Sequence, residues 1–512
     1  MDFKTGKETV TINETILNSV YEQPVELDCT LADYYPDVVR ILKCDVTARV
    51  LSKQPGADAL TIEGVACVDI YYCSREGGLQ CLCQQVPFTK VVELKQCPAQ
   101  FSCDVTAAVN YVNVRAVNER RITLRGALSL KVKVTGFVPY ELLSSTEGGG
   151  VELHQRQAVI DEPVAAADQY FDLKEEVPMG AGLPPAATVL KTVGDAQVEE
   201  YKVIFGKLIL KGEILLKTLY LPEEEGARPQ LMMNSLPLNQ IIDLEGATED
   251  STPEAWLEVI GASALPKAGG EGEATLSVDV QLCAHVRCMR ERRLTYVDDA
   301  YSTLYESQME TAPVALQQLA EQAKDSLTVK DTLDLSDTGV ESVTDVRCTA
   351  VITGVEPAEN GVELLGKLTV LLFYYAGDGM PRVAEKQVDF SYRKELGALP
   401  EKWECDARST AQSSSFTLVG ADRIELRVQC GVEFTLRQVR EISALTGIQV
   451  LEDSPLGDGP GAPLILYYAD QGEDVWEIAK AYRTSASRIV EENDLAGTVL
   501  EKRRMLLIPA VR

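Results

Sequence analysis

One pattern recurs three times along this chain and limits its fold more than any other feature. Residues 60–72 read LTIEGVACVDIYY, residues 208–220 read LILKGEILLKTLY, and residues 362–375 read VELLGKLTVLLFYY. Each sets a glycine eight residues before a tyrosine: Gly64 and Tyr72, Gly212 and Tyr220, Gly366 and Tyr374. A turn signal follows each time, at Gly77-Gly78, at Gly226 and at Gly377-Asp378-Gly379. Glycine inside a strand marks a bulge or a close backbone approach. Glycine in the turn supplies the positive φ that a tight reversal needs. Each copy then closes on a long alternating segment, at residues 122–134, 274–288 and 424–436. Period-two alternation means one wet and one dry face, as in half-buried antiparallel strands. The spacing is that of whole-domain duplication, not of a short-repeat solenoid.

The chain is therefore expected to be mainly β. Three repeated antiparallel, sandwich-like domains span residues 1–150, 151–300 and 301–451, with Gly148-Gly149-Gly150 linking the first two. One long helix is expected within the third, over residues 311–327. Thr311 would cap it, Pro313 lies in its first turn, and Leu316, Leu319, Ala320 and Ala323 form an apolar stripe. Residues 452–463, EDSPLGDGPGAP, read as a flexible linker.

Charge excludes some partners. Acidic residues number 78 against 49 basic ones, a net charge of −29. Such a chain repels phosphate backbones and anionic lipid, so no nucleic acid and no direct membrane insertion is expected. An acidic surface that keeps the protein soluble accounts for the charge; a cationic protein partner is the alternative. The first residues, MDFKTGKETV, lack the apolar core of a signal peptide, and no run reaches the length of a membrane helix. A cytoplasmic protein is expected, with its 13 cysteines reduced.

Residues 464–512 change pattern. A short strand ends near Gly472. Asp474 is placed to cap a helix whose Val475, Ile478, Ala479 and Tyr482 share one face. A second short helix starts at Thr484 or Ser485, turns Ile489 inward and ends near Asn493. Met505 to Ile508 form a closing strand, stopped by Pro509. The order is strand, helix, helix, strand, a small α+β domain.

Catalytic patterns are nearly absent, and no enzyme, cofactor or catalytic residue is expected. Neither His154 nor His285 lies in a metal-ligand spacing. His285 falls in an alternating strand, which makes it a strand-face residue before it is a base. No nucleophile elbow, phosphate loop or dinucleotide fingerprint occurs. Cys67, Cys73, Cys81 and Cys83 flank the first hairpin, and four thiolates there could hold zinc. The usual paired knuckles are missing, and cysteine is also a common small buried residue.

The C-terminal segment resembles a LysM module at Tyr467, Gly472, Val475, Ile478, Ala479, Asn493, Leu495, Leu506, Ile508 and Pro509. Three β repeats followed by one such module resemble the SipL family of clostridial spore-coat morphogenetic proteins, with SPOCS repeats. The resemblance implies a non-enzymatic sporulation scaffold, acting in the mother cell at the forespore surface. It implies binding, through the LysM module, to the coat ATPase of the stage IV sporulation protein A type, and contact with other coat proteins.

Ordinary LysM modules hold N-acetylglucosamine polymers between two loops. Here the first loop reads Gly472-Glu473-Asp474 where the family usually has Gly-Asp-Thr. Across from it Arg503 replaces a usual glycine, in the run Lys502-Arg503-Arg504. A large cation there alters or covers the groove, because glycine permits a tight turn that other residues resist. The expected use is a protein-binding surface built from Tyr467, Gly472, Glu473, Asp474, Trp476, Asn493, Lys502, Arg503 and Arg504, with Trp476 as apolar anchor. Against this, Trp476 could merely cover the core and the basic run be a solvated turn. The alternative function is peptidoglycan binding at the cortex or wall; an enzyme with a wall anchor is a third class.

Overall fold

The computed structural model describes residues 3–95, 98–180, 182–224, 226–267, 274–456 and 464–509. It is mainly β. The first repeat holds β1 (Lys4–Thr30), β2 (Val38–Pro55), β3 (Ala59–Ser74), β4 (Leu79–Glu93), β5 (Phe101–Asn118) and β6 (Arg121–Glu147). β2, β3 and β4 form an antiparallel meander, and β6 pairs with both β1 and β5 in a second sheet. The second repeat has the same plan. Its strands are β7 (Val151–Pro178), β8 (Ala186–Ile204), β9 (Lys207–Pro222), β10 (Gln230–Asp243), β11 (Thr252–Lys267) and β12 (Thr275–Ser302). So has the third, with β13 (Tyr305–Asp334), β14 (Ser342–Ala358), β15 (Gly361–Tyr375), β16 (Pro381–Glu395), β17 (Trp403–Val419) and β18 (Arg423–Pro455). In the first two repeats the two three-stranded sheets share one apolar core, and in the third they share a core of two clusters.

The marker residues explain the repeat. Gly64, Gly212 and Gly366 each pair with the last residue before a bulge in the preceding strand. A Cβ on Gly366 would lie 2.2 Å from the Phe390 ring, and one on Gly212 would lie 2.4 Å from a backbone oxygen. Side chains are excluded there by contact. The tyrosines are buried, and each phenol donates or shares a hydrogen bond to the chain 36 residues earlier: Tyr72 to Pro36 O at 3.2 Å, Tyr220 to Pro184 O at 3.0 Å, Tyr374 with Thr338 Oγ1 at 3.0 Å. This ties each meander to the loop that enters it.

The repeats pack against one another through the ends of their sheets. Tyr71, Leu219 and Phe373, each one residue before a marker tyrosine, meet with Leu79, Cys81, Leu190 and Leu371 in one apolar hub. This is why β3 and β15 read as continuous apolar runs: both faces are covered near the end of the strand. The long strands supply a second hub. Their outer halves bring Val10, Ile12, Leu142, Ile160, Leu294, Tyr296, Val314, Leu316 and Ala444 together from all three repeats. Alone, each outer half would be a two-stranded ribbon, which is marginal in water.

A cycle of ion pairs joins the three repeats. Lys133 of β6 pairs with Asp406 of β17 at 2.5 Å, Arg287 of β12 with Asp104 of β5, and Arg437 of β18 with Glu254 of β11. Asp104, Glu254 and Asp406 sit at corresponding positions of their repeats, in register with Lys133, Arg287 and Thr435 of their own last strands. Each repeat gives an acid to the next one's base, so the cycle closes as a head-to-tail ring must.

Two expectations are corrected. Residues 311–327 are strand, inside β13, not helix. Ala, Gln and Leu there favour helix, but the segment pairs along its length with β18, and a ladder of non-local hydrogen bonds overrides so weak a preference. Val314 and Leu316, two apart on one strand face, are the buried apolar residues of the segment. The expected linker at 452–463 begins in strand, since β18 runs to Pro455; residues 457–463 lie outside the described residues. Gly148-Gly149-Gly150 does join the first two repeats, and the connection from β6 to β7 is tight. All three have positive φ, and a Cβ on Gly150 would meet Thr303 and Leu304.

Candidate functional site

The C-terminal unit is built from β19 (Leu464–Ala469), α1 (Val475–Tyr482), α2 (Ala486–Glu492) and β20 (Arg504–Pro509), with β19 and β20 antiparallel. Its order is strand, helix, helix, strand. Asp474 caps α1, accepting from Trp476 N at 2.9 Å. Ser485 stands at the start of α2 without a side-chain cap. Val475, Ile478, Ala479, Ile489, Leu506 and Ile508 form the core.

Two of the nominated residues hold this small fold together. Asn493 is buried, donates to Ile489 O and Leu507 O, and accepts from Leu507 N at 2.7 Å. Arg504 donates to Asn493 O at 2.8 Å, so its charge braces the α2–β20 connection. Lys502 and Arg503 are exposed, and Arg503 pairs with Asp470 at 3.0 Å. Tyr467 packs edge-on against Tyr482, and its hydroxyl reaches Glu473 at 3.5 Å. Gly472 has φ +89°, a conformation glycine adopts without strain.

The two loops named as groove walls are bonded to each other. Gly472 N donates to Leu500 O at 2.8 Å, Leu500 N to Glu473 O at 3.0 Å, and Val475 N to Thr498 O at 2.7 Å. The segment from Gly472 to Val475 is therefore tied to residues 498–500, just ahead of the basic run.

Trp476 turns inward. The sequence leaves it either a partly exposed anchor or a cover for the small core, and it is 5% exposed and packed in that core. Its indole Nε1 donates to Asp299 Oδ2 at 2.8 Å, its ring stacks on His154 at 4.8 Å, and Tyr301 meets it edge-on. Lys480 reaches the same carboxylate at 2.7 Å, and Tyr301 donates to Thr484 O at 2.6 Å. Burial raises the Asp299 carboxyl, but the bonds from Lys480 and Trp476 outweigh it and hold it below its usual value. The tryptophan docks the unit onto the end of β12 in the second repeat. No sequence spacing linked Asp299 to residues so far along the chain.

No metal site is expected from the sequence, and the four-thiol alternative does not fit the geometry. The four thiols do not converge. Cys81 and Cys83 lie 3.6 Å apart beside Asp69, while Cys67 and Cys73 stand outside that group. Lys191 already places its ammonium 2.5 Å from Asp69. The contact with Cys83, then burial, push the Cys81 thiol well above its ordinary range, which disfavours the thiolate a metal needs. His154 meets Asp298 at 2.7 Å, and His285 lies between Asp168 and Glu258 at 2.8 and 3.2 Å. His285 thus serves an ion-pair network on its strand. No helix among the described residues is long and apolar enough to cross a membrane.

A family model described as the SipL SPOCS domain matches residues 37–117 and 185–264. These segments correspond in the fold: β2 to β5 of the first repeat and β8 to β11 of the second. No curated protein and no solved structure matches the chain. The third repeat has the same strand order around Gly366 and Tyr374. Two matched SPOCS segments, set in one strand plan that recurs along the chain, make this a SipL-like spore-coat protein.

Proposed function

We propose that this chain is a non-enzymatic scaffold for spore-coat assembly, and that its C-terminal unit is a LysM-type module binding a protein rather than a glycan. The partner is the coat morphogenetic ATPase of the stage IV sporulation protein A type. The place of action is the mother-cell cytoplasm at the forespore surface. The observation that carries this reading is the docking of the unit: with Trp476 turned toward Asp299, the outer face of the β19–β20 sheet is left apolar, with Lys502 and Arg503 exposed just ahead of β20. Leu464, Leu466, Tyr468 and Met505 are exposed on that face of the two-stranded β19–β20 sheet, and Arg503 pairs with Asp470 at the end of β19. Tyr468 and Met505 are cross-strand neighbours. An apolar centre with a cationic rim suits a protein interface, and the rim sets orientation and rate on so acidic a chain.

The test compares the full chain, the chain ending before residue 464, and a K502E/R503E variant. Each is assayed for retention by the ATPase and for sedimentation with insoluble peptidoglycan. Retention by the ATPase should be lost on truncation and fall at least several-fold in the double variant, with weaker salt dependence. Sedimentation with peptidoglycan alone, or unchanged retention of the truncated chain, overturns the reading.

A further inference from the structure

A cavity of about 480 Å3 lies beside the ion-pair cycle and is lined by all three repeats. That is within the usual size range of small-molecule sites. Its charge runs against that of the whole chain. Lys53, Lys131, Lys133, His285 and Arg408 line it, against Asp104, Glu258 and Asp406. Burial acts to neutralise His285, but its hydrogen bonds, led by that to Asp168, push it up to about 11, so it is charged at neutral pH.

Arg408 is the unusual member. Its guanidinium sits 3.6 Å from the centroid of the Trp256 ring. The surrounding carboxylates are committed elsewhere: Asp104 to Arg287, Glu254 to Arg437, and Asp406 to Lys133, with Arg437 and Arg287 at 3.6 and 3.9 Å. Among the described residues neither Arg408 nor Lys131 makes an ion pair. Burial and the neighbouring Arg287 push Arg408 down despite these acids. A cation left over in a confined site favours an arriving anion, because attraction strengthens where water is scarce. The stacked indole fixes the plane of the guanidinium fork, which suits two parallel bonds to one oxyanion.

We propose that this cavity binds a small oxyanion with two or more negative charges, a phosphate or a di- or tricarboxylate, anchored by Arg408 and Lys131. The pocket draws residues from every repeat, so such a ligand also favours the closed ring by mass action.

The full chain would be titrated calorimetrically with inorganic phosphate and with citrate, against chloride at matched ionic strength. Thermal midpoints would be read alongside. Either anion should give saturable binding and raise the midpoint of the wild-type chain. R408Q should lose both responses, and K131Q, at an exposed position, should bind several-fold more weakly. Absence of saturable binding by both anions overturns the proposal, as does a response of R408Q equal to that of the wild type. Should R408Q fail to fold, unchanged affinity in K131Q overturns it.

Discussion

The three β repeats are joined to one another through two apolar hubs and a closed cycle of ion pairs, whereas the C-terminal unit touches them mainly through one side chain and its neighbours. The repeats share cores contributed by every copy. The C-terminal unit has its own core and adds Trp476, Lys480 and Thr484 to a patch around Asp299 and Tyr301. Both interfaces use buried charge, but the consequences differ. In the cycle each acid serves a different repeat, so opening one junction strains the others. At the clasp one carboxylate takes both Trp476 and Lys480, beside the contacts of Tyr301, and its release is expected to leave both partners folded. The lesson is that duplication produces mutual support, while an appended module needs only a latch.

The largest effect is expected from D406A. Asp406 faces three cations, Lys133, Arg437 and Arg287. Removing one partner of a buried pair costs on the order of 3–5 kcal/mol, since the remaining charges stay desolvated. Denaturant unfolding should show the whole β body losing stability in one transition. A loss confined to the third repeat would break the claim of mutual support.

D299A should act less strongly and elsewhere. Loss of the hydrogen bonds to Trp476 and Lys480 costs about 1–3 kcal/mol. Small-angle scattering should show the C-terminal unit detached, and limited proteolysis should release it faster, while the thermal midpoint of the β body stays unchanged. A midpoint falling in step with detachment would make the latch part of the body.

Y374F should give the smallest change, about 1 kcal/mol for one lost hydrogen bond. Its bond to Thr338 is local to the third repeat. If the repeats are one cooperative unit, even this shift displaces the single unfolding transition of all three. An additional early transition would show that the third repeat unfolds alone.

The repeat was legible because its markers obey local rules. Gly64, Gly212 and Gly366 announce close contacts in strands, and the turn glycines announce reversals. The helices of the C-terminal unit were legible for the same reason: Asp474 and the spacing of Val475, Ile478 and Ala479 act within a few residues. Residues 311–327 misled because a helical stripe and an edge of a long strand can use the same Ala, Gln and Leu composition; β18, over a hundred positions away, decided between them. Trp476 was recognised as an interface residue, but its partner was Asp299 of the same chain.

What the sequence alone determined is the unit of construction: a duplicated β domain, its turns and marker contacts, and a small strand–helix–helix–strand tail. Those follow from steric limits and periodicity, which act between near neighbours. Only the tertiary structure decided that Lys133, Arg287 and Arg437 answer acids of other repeats, that Arg408 is left facing a cavity, and that Trp476 turns inward. Such pairings depend on which distant surfaces meet, and Coulomb attraction and burial leave no periodic trace along the chain.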